Sequence, residues 1–164
     1  MIEYNHLGDG ADFQTPNLIV VHAMAEYIKF DKRVVHAVDY LDEIGLSAHS
    51  FIAPNGTIFR CREDDQGAYH ALGHNKNSLG IEFLVKGEHD YASFIDTIQN
   101  KDYLSDCQYK IGLDQILEWF EMHDINKLTR HSDLSPDRKI DPGKGFPWGK
   151  FVSDIRFSTR GVIK

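Results

Sequence analysis

Two histidines, two carboxylates and a lysine carry the chemistry legible in this chain. His22 closes the apolar run NLIVVH (17–22), and Glu82 stands inside the otherwise apolar SLGIEFLV (78–85). His131, Lys139 and Asp141 share the polar stretch RHSDLSPDRKIDPG (130–143). Two imidazoles and one carboxylate suit a zinc ion, which in catalytic sites keeps a fourth position open beyond three protein ligands. Such an ion polarises a carbonyl and brings a water toward neutral acidity. A carboxylate in an apolar wall has its pKa raised and can take and return a proton. A lysine two residues before a ligand can face a developing oxyanion. Each residue also has an ordinary alternative. A buried histidine can be a satisfied core residue, and Asp141 before Pro142 can shape a turn. Glu82 can lie on the outward face of an edge strand, and Lys139 can be solvated. No H-E-x-x-H helix is present, so spacing alone leaves the metal reading and its alternative open.

The surrounding pattern supplies elements that could position these groups. NLIVVH reads as a buried strand ending at His22. DKRVVHAVDYLDEIG (31–45) sets Val34, Val38 and Leu41 on one helical face, with Asp31 as N-cap and Gly45 as stop. AHSFIAPNGTIFRCR (48–62) reads as a hairpin turning at Asn55-Gly56, a pair that favours positive φ. SLGIEFLV is a third strand, followed by a helix at about 91–99. Leu113, Ile116, Leu117 and Phe120 give 111–124 a helical stripe that packs on a sheet. KLTRH (127–131) is a last strand, 146–156 starts a terminal helix, and the tail after Phe157 is loose. Strands alternating with helices, plus one hairpin, give an α/β fold: a mixed sheet with helices on its faces.

Composition narrows the partners. The 164 residues, 41% hydrophobic, suffice for one domain. A net charge of −7 and no Lys/Arg cluster argue against nucleic acid. No long apolar run predicts a membrane span, and no secretory signal is visible, so synthesis in the cytoplasm is expected. Cys61 and Cys107 are expected to be reduced thiols, at least one of them in the core. The absence of an exposed apolar stripe predicts a monomer.

Five stretches in order then make a specific pattern: IVVHAM (19–24), LSAHSFIAPNGTIFR (46–60), YHALGHNKNSLGIEF (69–83), RHSDLSP (130–136) and RKIDPG (138–143). Together they resemble the zinc-dependent N-acetylmuramoyl-L-alanine amidases of the amidase-2 type. That group includes phage endolysins, cytosolic amidases that recycle muropeptides, and peptidoglycan recognition proteins. The resemblance implies a single domain with zinc in a surface groove of the sheet. Its boundaries divide the chain into a lead-in (1–16), a catalytic domain (17–157) and a tail (158–164).

The resemblance also implies roles. His22, His131 and Asp141 stand at zinc-ligand positions, Glu82 at that of the catalytic glutamate and Lys139 at that of the catalytic lysine. Some phage members carry a tyrosine where this chain has Ala48, which leaves proton transfer to Glu82, alone or with Lys139. His70 and Asn77 match positions near the substrate groove; His49 matches too, but as a strand histidine it can simply pack. The implied reaction cuts the amide between the lactyl group of N-acetylmuramic acid and L-alanine in peptidoglycan. YHALGHNKNSLGI (69–81) reads as the lytic, phage-type form, which acts on the wall after release. The alternatives are a cytosolic enzyme recycling anhydro-muropeptides and a non-catalytic peptidoglycan-binding module. A zinc peptidase acting on another peptide would share the same metal ligands.

Overall fold

The computed structural model describes residues 2–3 and 12–159; most of the expected lead-in and residues 160–164 lie outside them. In chain order the elements are β1 (Ile2–Glu3), β2 (Leu18–Phe30), β3 (Arg33–His36), α1 (Ala37–Glu43), β4 (Ser50–Ile52), β5 (Ile58–Arg60) and β6 (Ser78–His89). They continue with α2 (Tyr91–Asn100), α3 (Asp106–Met122), β7 (Lys127–Arg130), α4 (His131–Leu134) and α5 (Trp148–Ser158). The strands form one mixed sheet in the order β1-β5-β4-β6-β2-β3, with β7 also paired to β2. β2 runs parallel to β6 on one side. On its other side, its first half takes β7 in parallel and its last residues take β3 antiparallel.

Strand periodicity separates the two faces. Ile19 and Val21 of β2 point the same way as Leu79, Ile81 and Phe83 of β6, and all five are fully buried. They pack against Ile116 and Trp119 of α3 and Phe151 and Ile155 of α5. Burying each such side chain contributes about 1.5–3 kcal/mol. α3 comes in close because residue 112 is glycine, where a Cβ would lie 2.3 Å from the Phe83 ring. On the opposite face, Leu84 and Phe51 pack with Val38 and Leu41 of α1. Val20, His22 and Met24 of β2 and Gly80 and Glu82 of β6 fall on this second face, by the same alternation.

Several elements differ from the sequence expectation. β2 does not end at His22; it continues to Phe30, because β6 keeps pairing with it as far as Ile28↔His89. Beyond Ala25 its residues are half-exposed, so the apolar run that marks its first half stops while the strand does not. Residues 31–36 are not helical, and Asp31 is not the N-cap. Asp31 and Lys32 take φ of 51° and 64° and form a tight turn. Arg33–His36 then pair back on Tyr27–Phe30. The β-branched Val34-Val35 pair favours the extended chain, and aspartate tolerates the left-handed region. α1 begins only at Ala37, capped by His36 Nδ1, which accepts from the Val38 amide at 3.3 Å. α3 begins earlier than expected, capped by the Ser105 hydroxyl on the Gln108 amide at 3.0 Å. Its fully buried face includes Gln108, which donates to the Ile52 and Leu84 carbonyls at 2.7 and 2.8 Å; Leu113, Leu117 and Phe120 are only partly buried.

The remaining elements follow the pattern. β4 and β5 pair around Asn55-Gly56, with Gly56 at φ 85°. α2 and α5 lie where helices are expected. Cys61 and Cys107 are both free, the first buried and the second exposed. Among the described residues no helix is long and apolar enough to cross a membrane.

Candidate metal centre

The strand register assembles the centre. His22 on β2 pairs with Glu82 on β6. Val21 pairs with Arg130, so His131, the next residue after β7, falls beside His22 on the other side. The three side chains thus lie in one row, His22 and Glu82 on adjacent strands and His131 not on the expected strand 127–131 but at the first residue of α4, directly after β7. Asp141 arrives from the loop between α4 and α5. Its carbonyl accepts from the Ser132 amide at 2.9 Å, and Tyr103 donates to the next carbonyl, that of Pro142, at 2.8 Å. Gly143 follows at φ 80°, where a Cβ would sit 2.3 Å from the Ile98 carbonyl oxygen. Only glycine allows the loop to approach α2 so closely.

The three ligand-type atoms form a small triangle. His22 Nδ1 and His131 Nδ1 are 2.9 Å apart. Asp141 Oδ2 lies 3.0 Å from His131 Nδ1 and 3.2 Å from His22 Nδ1. A tetrahedral zinc ion holds its nitrogen and oxygen ligands about 3.3 Å from one another. The donor set therefore fits zinc with only small adjustment, and His22, His131 and Asp141 are the three that would hold it. Glu82 stands beside the triangle, its Oε1 3.9 Å from His22 Nδ1. Its Oε2 is buried with no hydrogen-bond partner among the described residues.

The electrostatics suit the same use. Burial pushes the His22 pKa down, which favours the neutral, ligating imidazole. Burial alone would raise the Asp141 pKa, but the neighbouring His131 and His22 outweigh it and hold the carboxyl below the usual range. Glu82 is pushed well above the ordinary carboxylate range by burial and then by the Asp141 charge, with Lys139 opposing. A cation in the triangle would act on Glu82 in the same direction as Lys139.

The centre opens into a groove of about 240 Å³. Leu46, Tyr69, and Tyr91 and Phe94 of α2 line it, together with Arg138 and Lys139 of the loop that carries Asp141. His70 also lines the groove, and its ring meets His22. Asn77 is not part of this lining; its amide donates to Asn17 Oδ1 at 3.2 Å, between the start of β2 and the turn before β6. His49 is a strut: its Nε2 bonds the Gln66 carbonyl at 2.8 Å, and its Nδ1 accepts from the Gly80 amide at 3.0 Å. Asp133 holds Arg130 through two contacts of 2.8 Å.

The sequence did not point to Tyr103, Ser78 or the α2 aromatics. Tyr103 carries no local pattern that distinguishes it. A glycine inside a strand often marks close approach of another group. Gly80 could have flagged this corner, since a Cβ there would sit 2.6 Å from His70 Nδ1.

Comparison with known proteins points to one family. Residues 12–144 match the family described as N-acetylmuramoyl-L-alanine amidase. Over 138 residues the chain is 26% identical to the 1,6-anhydro-N-acetylmuramyl-L-alanine amidase AmpD of Haemophilus influenzae, covering 78% of this chain and 68% of that protein. Its namesake from Escherichia coli is 29% identical over 160 residues, covering 85% and 82% respectively. The solved N-acetylmuramoyl-L-alanine amidase LysC from Clostridium intestinale superposes with a TM-score of 0.70 at 22% identity, covering 94% of this chain and 96% of that one; this likeness is one of fold.

Proposed function

This chain belongs to the N-acetylmuramoyl-L-alanine amidase family, and from that premise we propose that it hydrolyses the amide between the lactyl carbonyl of N-acetylmuramic acid and the nitrogen of L-alanine. The observation that carries this reading is the row of His22, Glu82 and His131 closed by Asp141, with the second oxygen of Glu82 unbonded. Zinc held by His22, His131 and Asp141 would supply Lewis acidity toward the carbonyl and the attacking water.

The chain's own residues do the rest. Glu82, in its apolar wall, accepts a proton from the attacking water as the new carbon–oxygen bond forms. Lys139 faces the negative charge that develops on the carbonyl oxygen. As the carbon–nitrogen bond breaks, Glu82 returns the proton to the departing alanine nitrogen. The products are a lactyl carboxylate and a free stem peptide. Neutral His22 and ionised Asp141 keep the ligand set ready for the metal. A purely binding role is disfavoured, since all three ligand positions and both Glu82 and Lys139 are filled.

Two substrate forms fit the groove's chemistry. The stretch YHALGHNKNSLGI supports the lytic, phage-type reading, in which the enzyme acts on intact wall after release. The names of the two AmpD relatives support soluble anhydro-muropeptides instead. One experiment tests the activity and divides the two readings. Purified protein is incubated with isolated peptidoglycan and with anhydro-muropeptides, each as isolated, after chelation and after zinc is restored, and products are identified by mass spectrometry. Stem peptides beginning with L-alanine, lost on chelation and regained with zinc, are the expected result. The faster substrate assigns the role. Zinc-loaded protein that cuts neither substrate would overturn the reading.

A further inference from the structure

His70 lies on the groove wall but is engaged from behind. Its Nδ1 is 2.9 Å from His22 Nε2, and its Nε2 is 3.1 Å from the Ser78 hydroxyl. The Ser78 hydroxyl lies 2.6 Å from the His74 carbonyl oxygen. These three contacts can be ordered by donor and acceptor. A carbonyl oxygen only accepts, so the Ser78 proton is committed to His74. The contact from Ser78 to His70 therefore needs a proton on His70 Nε2. A neutral imidazole carries one N–H, so His70 Nδ1 presents a lone pair. His22 must then donate from Nε2, and its own lone pair lies on Nδ1, the atom of the triangle.

We infer that His70 and Ser78 are positioning residues, forming a hydrogen-bond relay that fixes the tautomer and ring orientation of the His22 ligand. The inference rests on the zinc reading of the triangle and deepens it. Groups behind a ligating histidine commonly fix its tautomer, and their loss typically costs 10–100-fold in metal affinity. The fold makes room for this relay at Gly80, where a Cβ would displace the His70 ring. His131 contrasts with His22: its Nε2 is buried with no partner among the described residues. One imidazole of the pair is oriented from behind by the sheet, while the other takes its orientation from Asp141.

The test uses three variants of the full chain: His70→Phe, His70→Asn and Ser78→Ala. Asparagine can place its Oδ1 where His70 holds Nδ1 and can accept from His22, whereas phenylalanine cannot. Nitrogen-15 NMR of the metal-free wild type is expected to show His22 protonated on Nε2, with that tautomer lost in His70→Phe and kept in His70→Asn. Zinc affinity, measured by chelator competition, is expected to fall about 10–100-fold in His70→Phe, to recover most of that loss in His70→Asn and to fall several-fold in Ser78→Ala. Melting of the metal-free proteins distinguishes misfolding from loss of positioning. Should His70→Phe misfold, Ser78→Ala and the wild-type tautomer decide the matter. A wild-type His22 protonated on Nδ1, or undiminished zinc affinity in folded His70→Phe or Ser78→Ala, would overturn the relay. Wild type that binds no zinc overturns the metal reading too, a failure distinct from loss of the relay alone.

Discussion

The two halves of the candidate metal centre are held by different means. His22 and Glu82 belong to the central pair of long strands, β2 and β6, and their positions follow from strand register. His22 is backed in addition by His70 and Ser78. Lys139 and Asp141 come instead from an irregular loop. That loop is tied down by the Ser132 amide, the Tyr103 hydroxyl and the passage of Gly143 and Gly145 over the Ile98 carbonyl. A strand position is fixed by many cooperating neighbours, so a substitution there removes chemistry and leaves geometry. A loop position is fixed by a few anchors, so a distant substitution can move the chemistry without touching it.

The largest expected effect falls on the strand half. Glu82→Gln keeps the shape of the side chain but cannot take and return a proton. Turnover should fall about 10²–10⁴-fold, with the zinc-to-protein ratio unchanged. Retained turnover in the zinc-loaded variant would remove Glu82 from proton transfer and place the base on the loop half.

Lys139→Met probes the loop half through charge. Loss of a cation facing the oxyanion should lower kcat about 10²-fold. The pH profile carries a second signal. Glu82 works ionised, so activity is lost as pH falls through its pKa. Burial and Asp141 raise that pKa, while Lys139 lowers it. Removing the lysine therefore moves the acid limb of kcat/KM to higher pH. An acid limb that stays in place would assign that titration to another group.

Gly143→Ala leaves every catalytic atom intact and attacks an anchor. The left-handed backbone costs about 1–2 kcal/mol with a side chain, and overpacking adds about 1–3 kcal/mol. The nearest atom is a backbone carbonyl, which cannot swing aside. Thermal stability and zinc affinity should both fall. Gly73→Ala is the control, since Gly73 has φ 85° but nothing within 4 Å of its Cβ position. It should show the strain without the metal defect. Equal metal loss in both variants would mean that the Gly143 approach does not aim Asp141.

The same contrast explains what could be read from the sequence. The candidate ligand and acid–base residues were legible because their types are unusual in their settings: a histidine at the end of IVVH, a glutamate within LGIEFLV, an aspartate beside proline. The ordered stretches made that reading specific. Strands with continuous apolar runs were legible for the same reason. The second half of β2 was not, because its residues are half-exposed and only pairing with β3 and β6 keeps them extended. Residues 31–36 imitate a helical face, since Val34, Val38 and Leu41 share its spacing, but Val34 is 48% exposed and belongs to a strand. Supporting residues were the least legible. Ser78 and Tyr103 act through contacts with residues distant in sequence or with backbone carbonyls, and nothing in their local pattern records those contacts.

Tyr103→Phe should give the smallest effect and the finest division of the two halves. The phenol is partly buried, and its pKa is raised well above the ordinary value by desolvation and then by the nearby Asp141 and Glu82 charges. It is therefore a neutral donor, and its proton goes to the Pro142 carbonyl. The phenylalanine ring can occupy the same space, so the loss is one hydrogen bond, about 1 kcal/mol. That corresponds to roughly a fivefold change in an equilibrium, expected in zinc affinity, with kcat for the zinc-saturated enzyme nearly unchanged. A fall in kcat as large as that of Lys139→Met, at full zinc occupancy, would show that the hydroxyl turns from the loop to the substrate during the reaction. The boundary between anchor and active group would then run through Tyr103 itself.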